Sequence, residues 1–118
     1  MQPASKADEF ALRHCAPCEG GVPPLDQDQA AGLLVQVGGR WELVNGDRLE
    51  REYRFPNFRE ALRFVNRVGE LAEAEGHHPD LHLSWGRVKV VLWTHAVNGL
   101  TENDFILASK IARLDDQA

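Results

Sequence analysis

The stretch WELVNGDRLEREYRF, Trp41 to Phe55, decides how this chain folds. Asn45-Gly46 supplies two residues that tolerate positive φ, which a tight two-residue hairpin turn requires. Beyond the turn, Leu49, Arg51, Tyr53 and Phe55 alternate with Glu50, Glu52 and Arg54, the period of a strand with one wet face. The spacing predicts a hairpin with strands over Trp41–Val44 and Leu49–Phe55. A second hairpin follows downstream. Leu81, Leu83 and Trp85 alternate with His82 and Ser84, Gly86-Arg87 turns the chain, and Val88–His95 returns. Val90, Val91, Leu92 and Trp93 are apolar on both faces, so the last strand reads as central or covered.

Helices flank both hairpins. Asp26 and Gln29 have the spacing of a capping box, followed by Ala30, Ala31, Leu33, Leu34 and Val35 and a stop at Gly38-Gly39. Asn57 and Glu60 open a longer helix whose apolar stripe is Phe58, Ala61, Leu62, Phe64, Val65, Val68, Leu71 and Ala72, ended by Gly76. Thr101 caps a last helix with Phe105, Ile106, Ala108, Ile111 and Ala112 facing inward. The order α-β-β-α-β-β-α predicts an α+β fold, a four-stranded antiparallel sheet with three helices packed on one face. Residues 1–24, with Gly20-Gly21 and Pro23-Pro24, read as an extended N-terminal arm, and residues 25–118 as a single domain.

At 118 residues, 43% apolar and 26% charged, the chain has enough material for one core without a staple. A net charge of -5 and the lack of a basic run argue against attachment to nucleic acid or anionic lipid. No apolar segment resembles a signal peptide or a membrane span, so the expected location is cytoplasmic. Cys15 and Cys18 form Cys-Ala-Pro-Cys, half of a zinc site or a redox pair, with His14 as a third donor. A closed zinc site needs four ligands, and two reduced thiols in a flexible arm is the preferred reading. A zinc set of His77, His78, His82 and His95 lacks the helical His-x-x-x-His spacing and is not favoured.

The chemistry gathers at the seams between elements. His77 and His78 follow the C-terminus of the long helix, where partial negative charge suits a cationic ring and hence a general acid. Pro79 keeps His78 out of the helical region, so the two rings diverge. A histidine at a helix end also serves the dipole alone, and the pair with Glu73 beside it makes the two readings about even. Glu73 in a last turn opposes the dipole unless a bond to His77 compensates; spacing alone favours a solvated carboxylate in the group Glu70, Glu73 and Glu75. His95 closes the fourth strand with the parity of Val91 and Trp93, where a satisfied edge histidine is as good a reading as a catalytic one. Asp104, three residues after Thr101, fits a capping box. His14 and His82 read as solvated.

Glu73-x-x-x-His77-His78-Pro79, Trp85, Thr94-His95 and Gly99-Leu100-Thr101-x-x-Asp104 together resemble the signature of the pterin-4a-carbinolamine dehydratases. The resemblance runs from about Leu25 to Leu114 and takes in Trp41, Phe55-x-x-Phe58 and Asp104-Phe105-Ile106-x-Ala108. It implies the α+β fold read above. It also implies dehydration of a 4a-hydroxytetrahydropterin to quinonoid dihydropterin, the recycling step of tetrahydrobiopterin after aromatic amino acid hydroxylation, with no metal and no cofactor. Carried onto this sequence, His77 and His95 would be general acids at the hydroxyl. His78 would anchor the pterin and assist proton removal, with Thr94 as a further substrate contact, and Glu73 and Asp104 would hold the imidazoles in orientation. Trp41 would be a further substrate contact shaping the pterin cavity, although as a residue it reads more readily as a core aromatic starting a strand. The expected partners are a small pterin, the hydroxylase pathway and further copies of the chain as a dimer or tetramer. Two other roles suggested by the resemblance are a dimerisation module working through the long helix and a place in another pterin pathway such as molybdenum cofactor metabolism.

Overall fold

The computed structural model describes residues 6–16, 23–37 and 40–116. Nine elements follow in order: α1 (Lys6–Leu12), α2 (Gln27–Val37), β1 (Glu42–Val44), β2 (Arg48–Arg54), α3 (Phe58–Glu75), β3 (Asp80–Ser84), β4 (Arg87–Leu92), a 3-10 turn (His95–Val97) and α4 (Glu102–Asp116). The fold is α+β.

Local chemistry sets the boundaries. Asp26 and Gln29 cap α2 reciprocally: the Gln29 N–H donates to Asp26 Oδ1 at 2.8 Å, and the Asp26 N–H donates to Gln29 Oε1 at 2.9 Å. The Gly38-Gly39 stop lies outside the described residues. Asn45 and Gly46 both take positive φ, 54° and 72°, and close the β1–β2 hairpin as the Asn-Gly pair requires. Asn57 accepts the Glu60 N–H at 2.9 Å and starts α3. Gly76 ends α3 at φ 67°, its N–H donating to the Ala72 carbonyl.

The sheet order is β1-β2-β4-β3, every pair antiparallel. β4 is therefore central, as its two-faced apolar run predicts. Leu49, Val88, Val90 and Leu92 are fully buried and face the helices, where α3 contributes Ala61, Phe64, Val68 and Ala72. Burial of a side chain such as Phe64 contributes about 1.5–3 kcal/mol. On the opposite face Lys89 pairs with Glu50 at 3.0 Å and Arg87 with Glu52 at 3.1 Å, cross-strand contacts that suit a wet surface.

Two expectations need correction. The arm is not extended throughout: Lys6–Leu12 is helical and packs on α4, with Phe10 and Ala11 buried, so the described residues hold four α-helices instead of three. The fourth strand also ends before His95. Thr94 bridges to Gly99, with the Thr94 N–H donating to the Gly99 carbonyl at 2.7 Å, and the residues between are forced into a short 3-10 turn closed by Asn98 at φ 53°.

Candidate active site

Gly76 turns the chain left-handed at the end of α3 and directs His77 inward. The His77 ring meets Asp104, in the first turn of α4: Nε2 lies 2.6 Å from Oδ1, with side-chain exposures of 9% and 0%. Asp104 is held by three groups at once. Its second oxygen accepts the Thr94 hydroxyl at 2.8 Å and the Thr101 N–H at 3.0 Å, and Thr94 and Thr101 also join hydroxyl to hydroxyl at 2.8 Å. One carboxylate thus accepts the Thr101 N–H at the start of α4 and meets the His77 ring. Because a carboxylate accepts, Nε2 of His77 carries the proton, and Nδ1 is the ring nitrogen left for other chemistry.

His78, 60% exposed, lies outside that buried pair. Its Nε2 is 3.5 Å from Glu73 Oε1, so Glu73 supports His78 and not His77. The correction has a simple cause: the left-handed turn at Gly76 carries His77 away from the surface on which Glu73 stands. His95 opens the 3-10 turn, exposed, its ring stacked on Trp93 with centroids 3.9 Å apart and planes 29° from parallel. Gly76, His77, His78, Trp93, Thr94, His95 and Ala96 line one cleft of about 260 Å³. All three histidines and Thr94 therefore share a cavity.

Trp41 does not join them. It is 6% exposed in the core, and its indole Nε1 has no hydrogen-bond partner among the described residues. Thr94, 2% exposed, lines the cleft and also spends its hydroxyl on Asp104 and Thr101. His82 is exposed on β3, and Trp85 is 68% exposed at the second hairpin turn. Among the described residues no group of three His, Cys, Asp or Glu side chains is arranged to hold a metal ion, and no helix is long and apolar enough to cross a membrane. Cys18 lies outside the described residues.

A model of the family described as pterin 4 alpha carbinolamine dehydratase matches residues 23–114. The chain belongs to this dehydratase family. A Rubrobacter xylanophilus protein bearing the pterin-4-alpha-carbinolamine dehydratase name is 53% identical over 106 residues, covering 90% of this chain and 98% of its own. One from Methylococcus capsulatus is 52% identical over 113 residues, covering 95% and 98%. The crystal structure of a transcriptional coactivator/pterin dehydratase from Brucella melitensis superposes with a TM-score of 0.70 at 29% identity, over 77% of this chain and 97% of that one. The dehydratases are hydro-lyases by name, which is the reaction class of this family.

Sequence reasoning missed Trp93 and Glu75. In the sequence Trp93 reads only as a strand residue, although it shares parity with His95. By spacing Glu75 belongs with the solvated carboxylates Glu70 and Glu73, yet its side chain is 5% exposed. It accepts the Cys15 N–H at 2.8 Å and the His14 ring at 2.9 Å, and Lys110 stands 3.8 Å away. Burial alone would raise its pKa, but the Cys15 N–H, His14 and Lys110 outweigh that and hold it below the ordinary 4.5. Beside it, burial and then the charges of Glu75 and Asp104 push the Cys15 thiol up to about 12. The Cys15 thiol is accordingly held neutral against the fold instead of lying in a flexible arm.

Proposed function

We propose that this chain dehydrates a 4a-hydroxytetrahydropterin to the quinonoid dihydropterin by histidine acid-base catalysis, in recycling of tetrahydrobiopterin. The observation that carries the reading is the cleft in which His77, backed by buried Asp104, meets His78 and His95. In the reaction the C4a–O bond breaks, the hydroxyl leaves as water once protonated, the N5 lone pair forms the N5=C4a bond, and N5 gives up its proton. The site needs one acid near the oxygen and one base near the ring nitrogen, each contributing roughly 10²- to 10⁴-fold.

His77 and His95 act as general acids at the departing hydroxyl. The carboxylate of Asp104 complements positive charge on His77 and fixes its tautomer. His78, on the exposed side with Glu73, anchors the pterin and takes part in removal of the ring proton. Thr94 contributes mainly by holding Asp104. No metal or cofactor enters these steps. The protein works in the cytoplasm as a dimer or tetramer alongside an aromatic amino acid hydroxylase.

The experiment is the ultraviolet time course of freshly generated 4a-hydroxytetrahydropterin, with wild type and with His78→Ala. Wild type accelerates the conversion and His78→Ala loses most of that. No acceleration above buffer by a folded wild type would end the proposal. A second reading, docking of a protein partner on α3, draws on the coactivator part of the Brucella protein's name and on Phe58 and Leu62, 44% and 40% exposed.

A further inference from the structure

The three cleft imidazoles are held by different means. His77 has Asp104 at 2.6 Å and His78 has Glu73 at 3.5 Å. Among the described residues no hydrogen bond or ion pair reaches the His95 ring, and its one ring contact is the indole of Trp93 at 3.9 Å. An exposed histidine at the mouth of a short turn would otherwise sample several rotamers, which a general acid cannot afford. The indole is itself anchored. Its Nε1–H donates to Asp80 Oδ2 at 3.0 Å, and the Arg48 guanidinium carbon lies 5.7 Å from its ring centroid.

The topology explains why these groups meet. Asp80 opens β3 and pairs with Val91 of β4, two residues before Trp93 on the same face of the sheet. Trp93 leaves the end of β4 beside Asp80, and the Thr94–Gly99 bridge folds His95 back over the indole. The stack holds in either charge state of His95, since the face of an indole attracts a cation as well as a neutral ring.

We infer that Trp93, anchored by Asp80, is the positioning residue for His95, fixing its ring in the cleft by stacking where His77 is fixed by a buried carboxylate. The inference rests on the proposed dehydratase role of His95. Trp93 is a positioning residue here because it acts through His95.

The test joins carbon-proton correlation spectra of the histidine rings to steady-state kinetics on Trp93→Leu, Trp93→Phe, Asp80→Ala and Asp80→Asn. The wild-type His95 ring protons should be shifted upfield by the indole, a shift lost in Trp93→Leu and partly kept in Trp93→Phe. In Trp93→Leu kcat should fall about ten- to a hundredfold with KM within about twofold, and Trp93→Phe should recover part of it. Asp80→Ala should fall between wild type and Trp93→Leu, and Asp80→Asn, which keeps an oxygen to accept the indole N–H, should lose less. If Trp93→Leu does not fold, Asp80→Ala at an exposed position decides by the same two readouts. Unchanged His95 ring signals, full kcat, or a rise in KM alone in these variants would overturn the inference. An inactive wild type with the upfield shift intact would instead sink the dehydratase reading while leaving the stack established, and full activity in His95→Ala would remove the reason for positioning that ring.

Discussion

Nε2 of His77 and Oδ1 of Asp104 lie 2.6 Å apart, with the carboxylate wholly buried and its other oxygen shared by Thr94 and Thr101. One side chain thus caps α4, ties the end of β4 to it and fixes a cleft histidine. Fold and chemistry cannot be separated at this residue. Asp104→Ala would strand the Thr94 hydroxyl, the Thr101 N–H and the His77 ring, a loss of about 2–4 kcal/mol. Asp104→Asn keeps one acceptor and the shape, so it should lose less stability, while activity falls roughly 10²-fold or more in both. Urea melts beside initial rates check this; an Asp104→Asn variant as active as wild type would show that the carboxylate serves the fold alone.

Gly76 sets where His77 goes. It stands at φ 67°, and a Cβ added there would meet no atom within 4 Å, so the cost of Gly76→Ala is conformational and not steric. We expect about 1 kcal/mol of destabilisation, roughly 4 °C in Tm, with Gly76→Asn milder because Asn tolerates the left-handed region. Thermal melts of the two variants, compared with wild type, give the order directly; Ala and Asn alike at wild-type Tm would contradict it.

Much of the architecture was legible because its signals are local. The Asp26/Gln29 box, the Asn45-Gly46 turn, the Asn57 cap and the Gly76 stop each act within a few residues, and all four appear at the expected places. What sequence could not supply were contacts made over long separations. The seven residues of α1 are too few to display a helical stripe, and they are stabilised from outside: Phe10 and Ala11 are buried on the domain, and Lys110 donates to the Ala11 carbonyl at 2.8 Å. Glu75 looks like its exposed neighbour Glu73 until the arm, 60 residues away in sequence, arrives to bond it. His95 keeps strand parity in the sequence, and only the Thr94–Gly99 bridge takes it out of the strand. In the site, the histidines were legible by type, but their pairing with Asp104 or Glu73 depended on which way the chain turned after α3.

The arm is held by a carboxylate whose folded pKa is depressed, which gives a signed pH dependence. Glu75 contributes stability above its ordinary value of 4.5 and loses that contribution as pH falls through the lower folded value. The stability gap between wild type and Glu75→Gln should therefore be widest near neutrality and close on acidification. Urea midpoints at several pH values measure it, and a gap that widens towards acid would refute the assignment.

Cys15 offers an independent probe of arm docking. With the thiol pushed up to about 12 from 9.0, its thiolate fraction near neutrality is about a thousandfold below that of a free thiol. In a Cys18→Ser background, iodoacetamide should label native protein far more slowly than urea-unfolded protein, and Glu75→Gln should speed native labelling. Equal rates in the native and unfolded chains would mean that Cys15 is not held against Glu75 and the Asn103 carbonyl, which its Sγ meets at 3.6 Å.

The most direct test of the whole account is the rate of 4a-hydroxytetrahydropterin dehydration by wild type and by His77→Ala, with circular dichroism confirming that both are folded. Acceleration above buffer by wild type, cut at least roughly a hundredfold in His77→Ala, is the predicted result. A folded wild type no faster than buffer, or a His77→Ala variant as fast as wild type, would contradict the claim that the Asp104-backed His77 is a general acid of this site.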